Sequence, residues 1–255
     1  MNYTAIGIIP ARFGSTRFPG KPLCDLNGKT LIQRVWEAAV QSPSLAKVYV
    51  ATDDARIIEE CTRIGAAWVL TPSELPSGTD RVEYAARFVA PDADFVLNIQ
   101  GDEPLLRPEL LDDLVEALAH STADVATPII RITSLEELLN PTVAKVTLKN
   151  DGTALYFSRS VIPFIRGMVQ EDWLNVHQFW KHIGIYAYRT QALRRFAELP
   201  PAPLENAESL EQLRLLADGA TFRCVETTHE LVAVDTPEDA ERIRKILSEQ
   251  SVTSK

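Results

Sequence analysis

The chain is predicted to be an α/β protein: a mostly parallel, Rossmann-like sheet with helices on both faces, and a smaller mixed-sheet arm. Three observations predict this. Short apolar runs alternate with helical periods through the first half of the chain. The composition, 45% hydrophobic and 24% charged over 255 residues, is enough to bury one sizeable core. Beyond Asp124 the strand candidates crowd together with little helix between them, as antiparallel neighbours do.

Ala5 to Pro10 is the first strand. Leu31, Ile32, Val35, Ala38 and Ala39 then repeat at helical spacing, and Val48 to Ala51 returns as a strand, completing a βαβ unit. A helix follows from about Arg56 to Ile64, with Asp54 as its cap and Asp53 left open. After it come a short strand, Ala67 to Leu70, a helix beyond Thr79, and the strongly apolar strand Phe95 to Ile99. Thr79 could cap its helix and Asp80 sit in the first turn, but Arg81 is unexplained there, because a cation opposes the helix dipole. Leu110, Leu111, Leu114, Val115 and Leu118 make the next helical face.

The later strands are expected at Val125 to Ile132, Val143 to Leu148, Ala154 to Ser158 and Ile183 to Tyr188, with an arm or subdomain projecting over 140–180. Trp173, Phe179 and Trp180 fall in a loop-like part of that arm and are expected to contact a second copy, making a homodimer. The closing helix takes Thr236 as cap and Pro237 at its first position, with Ala240, Ile243, Ile246 and Leu247 on its buried face. The layout is one domain over 1–250 and a frayed tail over 251–255.

Composition excludes several classes of function. No stretch approaches the ~20 apolar residues of a membrane span, and the amino terminus lacks the pattern of a signal peptide, so no membrane insertion and a cytoplasmic location are expected. Cys24, Cys61 and Cys224 are odd in number and far apart, which suggests neither a disulfide framework nor a CxxC metal site. A net charge of -9 argues against nonspecific nucleic-acid binding.

Against that acidic background, the stretch Ile6 to Lys21 stands out. An apolar strand ends at Pro10 and opens into a loop carrying Arg12, Ser15, Arg17, Gly20 and Lys21, before the first acidic residue at Asp25. Such a loop suits a multiply charged anion, with a nucleoside triphosphate as the leading candidate. It is neither a Walker A loop, since Gly14 to Gly20 is one residue too long and Pro22 follows Lys21, nor a GxGxxG fingerprint. In open α/β sheets ligands sit at the carboxyl ends of the strands, where this loop, Asp53 and Gln100 to Asp102 all fall. Asp235, just before the closing helix, fits equally a helix-terminus charge or a ligand. Glu103 is set aside, since neighbours on extended backbone point to opposite sides.

PARFGSTRFPGKPL, followed in order by ATDD, SGTDR, NIQGDEP, ALYFSRSVIP, KHIGIYAYR, ESLEQLRLL and VDTPEDAERI, resembles the sugar-acid nucleotidylyltransferases. Among them it is most similar to the cytidylyltransferases that activate the eight-carbon sugar acid 3-deoxy-D-manno-octulosonate, KDO, for lipopolysaccharide. The likeness runs from Ile6 to Ile246; Ala233 departs from the glycine often seen before VDTP. It implies a nucleotidyltransferase sheet, CTP and KDO as substrates, CMP-KDO and pyrophosphate as products, and Mg²⁺ shared by Asp102 and Asp235. It also implies that Pro10, Ala11, Arg81 and Gln100 surround cytosine while Arg12, Ser15, Arg17 and Lys21 hold the triphosphate, with Arg12 and Lys21 stabilising the leaving group. The sugar acid would be met by Arg159, His182, Tyr186, Glu211 and Gln212. A related CMP-sugar-acid synthetase, for sialic acid or an amino-KDO analogue, and a noncatalytic nucleotide-binding regulator are the alternatives.

Overall fold

A computed structural model of the chain describes residues 3–14 and 17–253, with side chains described up to Glu249. The chain divides into two compact units, one formed by 1–112 with 231–255 and the other by 113–230.

The first unit carries β1 (Ala5–Ala11), α1 (Leu31–Ala39), β2 (Leu45–Thr52), α2 (Ala55–Ile64), β3 (Ala67–Leu70), α3 (Gly78–Val89) and β4 (Phe95–Asn98). Their order in the sheet is β3-β2-β1-β4, and every one of these pairings is parallel. Parallel neighbours need crossovers, which α1, α2 and α3 supply. Side-chain caps start α1 and α2, the second at Asp54 as expected. Thr30 Oγ1 accepts from Gln33 N at 3.2 Å, and Asp54 Oδ1 accepts from Arg56 N at 2.9 Å. Gly65 ends α2 in the left-handed region, with φ 75. The cap of α3 is Ser77 rather than Thr79: Ser77 Oγ accepts from Asp80 N at 3.1 Å, and the Thr79 hydroxyl instead takes a bond from Asn98 Nδ2 at 3.2 Å. Asp80 does sit in the first turn.

In α4 (Pro108–Ala119) the first unit gives way to the second. The second unit holds β5 (Val125–Arg131), α5 (Leu135–Leu139), β6 (Lys145–Leu148), β7 (Ala154–Ser158), α6 (Trp173–Val176), β8 (Trp180–His182), β9 (Tyr186–Arg189), α7 (Thr190–Glu198), α8 (Pro203–Glu208), α9 (Gln212–Ala217) and β10 (Phe222–Glu226). Its sheet is mixed. β10 runs parallel to β5, whereas β8 and β9 are both antiparallel to β5, and β6 is antiparallel to β7 and β8.

Of the strand expected from Ile183 to Tyr188, only Tyr186 onward forms one, as β9; β8 precedes it, and Ile183–Ile185 between them is not strand, the Ile185 amide bonding back to the Ile183 carbonyl at 2.9 Å. The aromatic residues of the arm also read differently. Trp173 and Phe179 are 2% and 1% exposed and pack with Ile132 and Leu138 in their own core cluster. They are internal packing groups, not a contact with a second copy, because residues distant in sequence cover them. The chain closes with α10 (Pro237–Thr253) in the first unit, capped by Thr236 Oγ1 through Asp239 N at 3.2 Å. The segment from 251 expected as tail is helical through Thr253, since no glycine or proline interrupts it; 254 and 255 lie outside the described residues.

Candidate nucleotide and sugar-acid sites

β1 and β4 lie side by side, with Ile8 opposite Asn98, so that both deliver their following residues to one end of the first sheet. Gly101 makes the close approach possible: a β-carbon there would lie 3.0 Å from the Pro10 carbonyl oxygen and 3.3 Å from Ile9. Close packing is what calls for glycine in this turn, because its φ is not in the left-handed region. Gly20 does need that region, at φ 74, and its amide closes the loop by donating to the Phe13 carbonyl at 2.9 Å. A cavity of about 240 Å³ opens at these strand ends, lined by Pro10, Ala11, Arg12, Lys21, Gln100 and Asp102 among others.

Lys21 is the hub of this end. Its Nζ donates to Asp102 Oδ2 at 2.8 Å and to Asp235 Oδ1 at 3.1 Å, and Arg17 reaches the same Asp235 oxygen at 3.2 Å. The two acids, remote in sequence, are joined through the backbone as well: Val234 N donates to the Asp102 carbonyl at 2.9 Å. Asp235 is not the cap of α10, since Thr236 takes that role and Asp239 holds the Asp235 amide at 3.0 Å. Ala233 adopts no positive φ, so the missing glycine leaves this backbone intact. Burial would lower the Lys21 pKa, but the carboxylates of Asp102 and Asp235 outweigh it and hold the ammonium above the usual lysine value.

Two carboxylate oxygens at bonding distance from one ammonium nitrogen mark a place built for a cation, and hard oxygen donors fit Mg²⁺. Among the described residues no cluster of three or more metal-ligating side chains exists.

Arg12 donates to the carbonyls of Leu75 and Ser77, which anchors the guanidinium at the cavity wall. Gln100 lines the same cavity, its amide 3.5 Å from Asn98 Oδ1. Ser15 lies outside the described residues. Arg81 is fully buried and is not among the residues that line this cavity. Its guanidinium donates to Asp53 Oδ2 at 2.9 Å and to Thr71 Oγ1, while its Nε has no partner. This accounts for both residues left open by the sequence. Arg81 is held by a carboxylate from β2's end rather than by its helix, and Asp53 supplies that carboxylate.

The five sugar-acid candidates all belong to the second unit. His182, Tyr186 and Gln212 are buried and linked: Tyr186 Oη donates to Gln212 Oε1 at 3.2 Å, and Gln212 Nε2 lies 3.5 Å from His182 Nδ1. His182 Nε2 is 2.9 Å from the Thr127 hydroxyl, which also lies 2.9 Å from the Ile185 carbonyl. Burial pushes His182 down to about 3, so the ring is neutral, and burial raises Tyr186 well above its ordinary value, so the phenol keeps its proton. Glu211 is exposed at the start of α9, beside the buried Gln212.

Arg159 stands apart from that chain. Its guanidinium donates to the carbonyls of Glu208 at 2.6 Å, Ser209 at 3.2 Å, and Pro141 and Thr142 at 3.3 Å each. Among the described residues all its hydrogen-bond partners are neutral carbonyls, so its charge is positioned without a paired carboxylate. The Glu208 carboxylate accepts from Ser158 Oγ at 2.6 Å and from the Arg159 amide at 2.9 Å. Thr127, Lys145 and Glu208 are polar residues of this region that the sequence did not single out. Signals were available: Thr127 and Lys145 are polar side chains inside apolar runs, and Glu208 opens the ESLEQLRLL segment.

The chain matches the cytidylyltransferase family over residues 6–242. The 3-deoxy-manno-octulosonate cytidylyltransferase of Cytophaga hutchinsonii is 46% identical over 243 residues, spanning 95% of this chain and 97% of that one. That of Porphyromonas gingivalis is 44% identical over 255 residues, 99% and 100% of the two chains. A solved structure of CMP:2-keto-3-deoxy-manno-octonic acid synthetase complexed with CTP superposes with a TM-score of 0.90 at 39% identity, covering 97% of this chain and 99% of that one. A cytidylyltransferase of Leptospira borgpetersenii shares the fold alone, with a TM-score of 0.64 at 17% identity, over 97% of this chain and 88% of that one.

Proposed function

Because the chain belongs to the cytidylyltransferase family, we propose that it activates KDO with CTP, giving CMP-KDO and pyrophosphate for lipopolysaccharide synthesis. The observation that carries the proposal is the convergence of Lys21 on Asp102 and Asp235 beside a strand-end cavity walled by Arg12 and Gln100.

The first unit binds the nucleotide. Arg12, Arg17 and Lys21 supply the positive charge that a triphosphate requires, with Ser15 as a further donor, while Gln100 and the Pro10 and Ala11 backbone face cytosine; Arg81, buried on Asp53 away from the cavity, does not. Asp102 and Asp235 would hold Mg²⁺, which when bound neutralises phosphate charge and lowers the pKa of the attacking hydroxyl. The second unit binds the sugar acid: Arg159 meets its carboxylate, and His182, Tyr186, Glu211 and Gln212 meet its hydroxyls.

The anomeric oxygen forms a bond to the α-phosphorus as the bond from that phosphorus to the β-bridging oxygen breaks. Pyrophosphate departs with the electron pair, and the hydroxyl proton passes to solvent. Lys21 and Arg12 stabilise the charge gathering on the leaving group. Orientation and electrostatics suffice for this step, so no covalent enzyme intermediate forms.

The active species in this proposal is a homodimer. Phe164, Val169 and Val176 support it, being 73%, 62% and 55% exposed within the arm, where they offer apolar area that Trp173 and Phe179 do not. The reaction is assigned to the cytoplasm, in keeping with three free cysteines. No helix among the described residues is long and apolar enough to cross a membrane.

Pyrophosphate release from CTP with a panel of sugar acids tests the assignment. KDO is expected to give the highest kcat/KM. A preference for a sialic acid or an amino-substituted KDO would reassign the acceptor, and CTP binding with no turnover on any acceptor would leave a regulator.

A further inference from the structure

We propose that Lys145 is a positioning residue for the sugar-acid step, fixing Arg159 in the conformation that receives the substrate carboxylate; this rests on the reading of Arg159 as a sugar-acid ligand. Lys145 is fully buried at the first position of β6, opposite Ser158 of β7. A buried ammonium normally finds a carboxylate. This one donates to three carbonyls, Arg159 at 2.6 Å, Val143 at 2.7 Å and Asn140 at 3.0 Å, which uses its full set of donors.

Those carbonyls are not scattered. One belongs to Arg159 itself, and the other two bracket Pro141 and Thr142, whose carbonyls accept from the Arg159 guanidinium. Lys145 therefore ties the Arg159 backbone to the turn on which its guanidinium leans. From the other side Glu208 holds the Arg159 amide with its carboxylate and the guanidinium with its carbonyl. The arrangement presents a guanidinium oriented entirely by neutral dipoles, so its charge is left for a ligand. A carboxylate in place of those carbonyls would compete with the acid group of the sugar. Lys145 touches no substrate in this account and acts through Arg159 alone. Burial and the neighbouring Arg159 charge lower its pKa, against which the Glu208 carboxylate acts.

A double-mutant cycle tests the proposal, using kcat and both KM values of Lys145→Met, Arg159→Met and the double variant. Lys145→Met is expected to raise KM for the sugar acid about tenfold, with KM for CTP within about twofold. In the Arg159→Met background the same change should have less than about a twofold effect. An equal loss in both backgrounds, or a matching rise in KM for CTP, overturns the proposal and makes Lys145 a structural group only. An unchanged sugar KM in Arg159→Met overturns the assignment of Arg159 instead, and the proposal falls with it. Should Lys145→Met fail to fold, Lys145→Gln, which keeps an amide donor, runs the same cycle with the same outcomes.

Discussion

In the proposed function the two units meet two anions in opposite ways. At the strand ends of the first, the polar groups are charged and partly open: Lys21 lies between Asp102 and Asp235, with Arg17 on the second acid. In the second, the linked groups are buried and neutral, with His182 held unprotonated, Tyr186 protonated and Gln212 between them. A triphosphate demands countercharge, whereas sugar hydroxyls demand donors and acceptors in fixed positions, and a buried uncharged network provides those at less desolvation cost. Arg159 is the exception among the candidates of the second unit, and in the proposed function it meets the carboxylate of the sugar acid.

The comparison breaks most visibly at the metal. Chelation of divalent ions should abolish turnover and added Mg²⁺ should restore it; activity that survives exhaustive chelation would remove the metal from the first unit. Asp102→Asn and Asp235→Asn should each lower kcat by about a hundredfold or more while changing CTP affinity much less. Equal losses in kcat and in CTP binding would make these acids nucleotide ligands rather than reaction groups.

In the second unit the expected effects are smaller and fall on a different constant. Tyr186→Phe removes one bond to Gln212 and should raise KM for the sugar acid by about five- to tenfold, leaving KM for CTP alone. A shift in the CTP constant would erase the division of labour between the units.

His182 sharpens the contrast through pH. Its folded pKa of about 3 lies below the ordinary histidine value of 6.5, so the unfolded chain binds the extra proton first on acidification. The stability this contributes is fully present above 6.5 and is lost as pH falls toward 3. Denaturant midpoints should therefore fall between pH 7 and pH 4 less steeply for His182→Gln than for the unaltered chain. Parallel curves would mean that His182 is solvated. The smallest effect lies outside both regions: Asp54→Ala should cost about 1 kcal/mol through the lost cap of α2, measured by thermal unfolding, with kcat unchanged.

How far sequence foretold this structure differs between the units for the same physical reason. The strands of the first unit are continuous apolar runs separated by long crossovers, so β1 and β4 and the residues after them were legible at once. The loop cations and Asp102 lie near such runs, and Lys21, Asp102 and Asp235 do come together. What stayed hidden depends on contacts that periodicity does not encode. β10 is only five residues long, with Arg223 inside it. Gly184 interrupts an apolar stretch that otherwise reads as one strand, and the cap of α3 sits at Ser77, two positions before the expected threonine. Trp173 and Phe179 fall in a loop-like stretch with no strand or helix period, while the core residues they pack with, Ile132 and Leu138, come from elsewhere in the chain. Lys145 belongs to none of the quoted segments and Glu208 merely opens ESLEQLRLL, since their contacts depend on which carbonyls and amides fall within their reach.

The bond from Val234 to the Asp102 carbonyl has a consequence for synthesis. The ribosome makes one acid early and the other only after the whole second unit has emerged. A chain ending before Asp235 would carry the cationic loop and just one of the two carboxylates that Lys21 joins. The second carboxylate reaches Lys21 only once the segment after the second unit has been made.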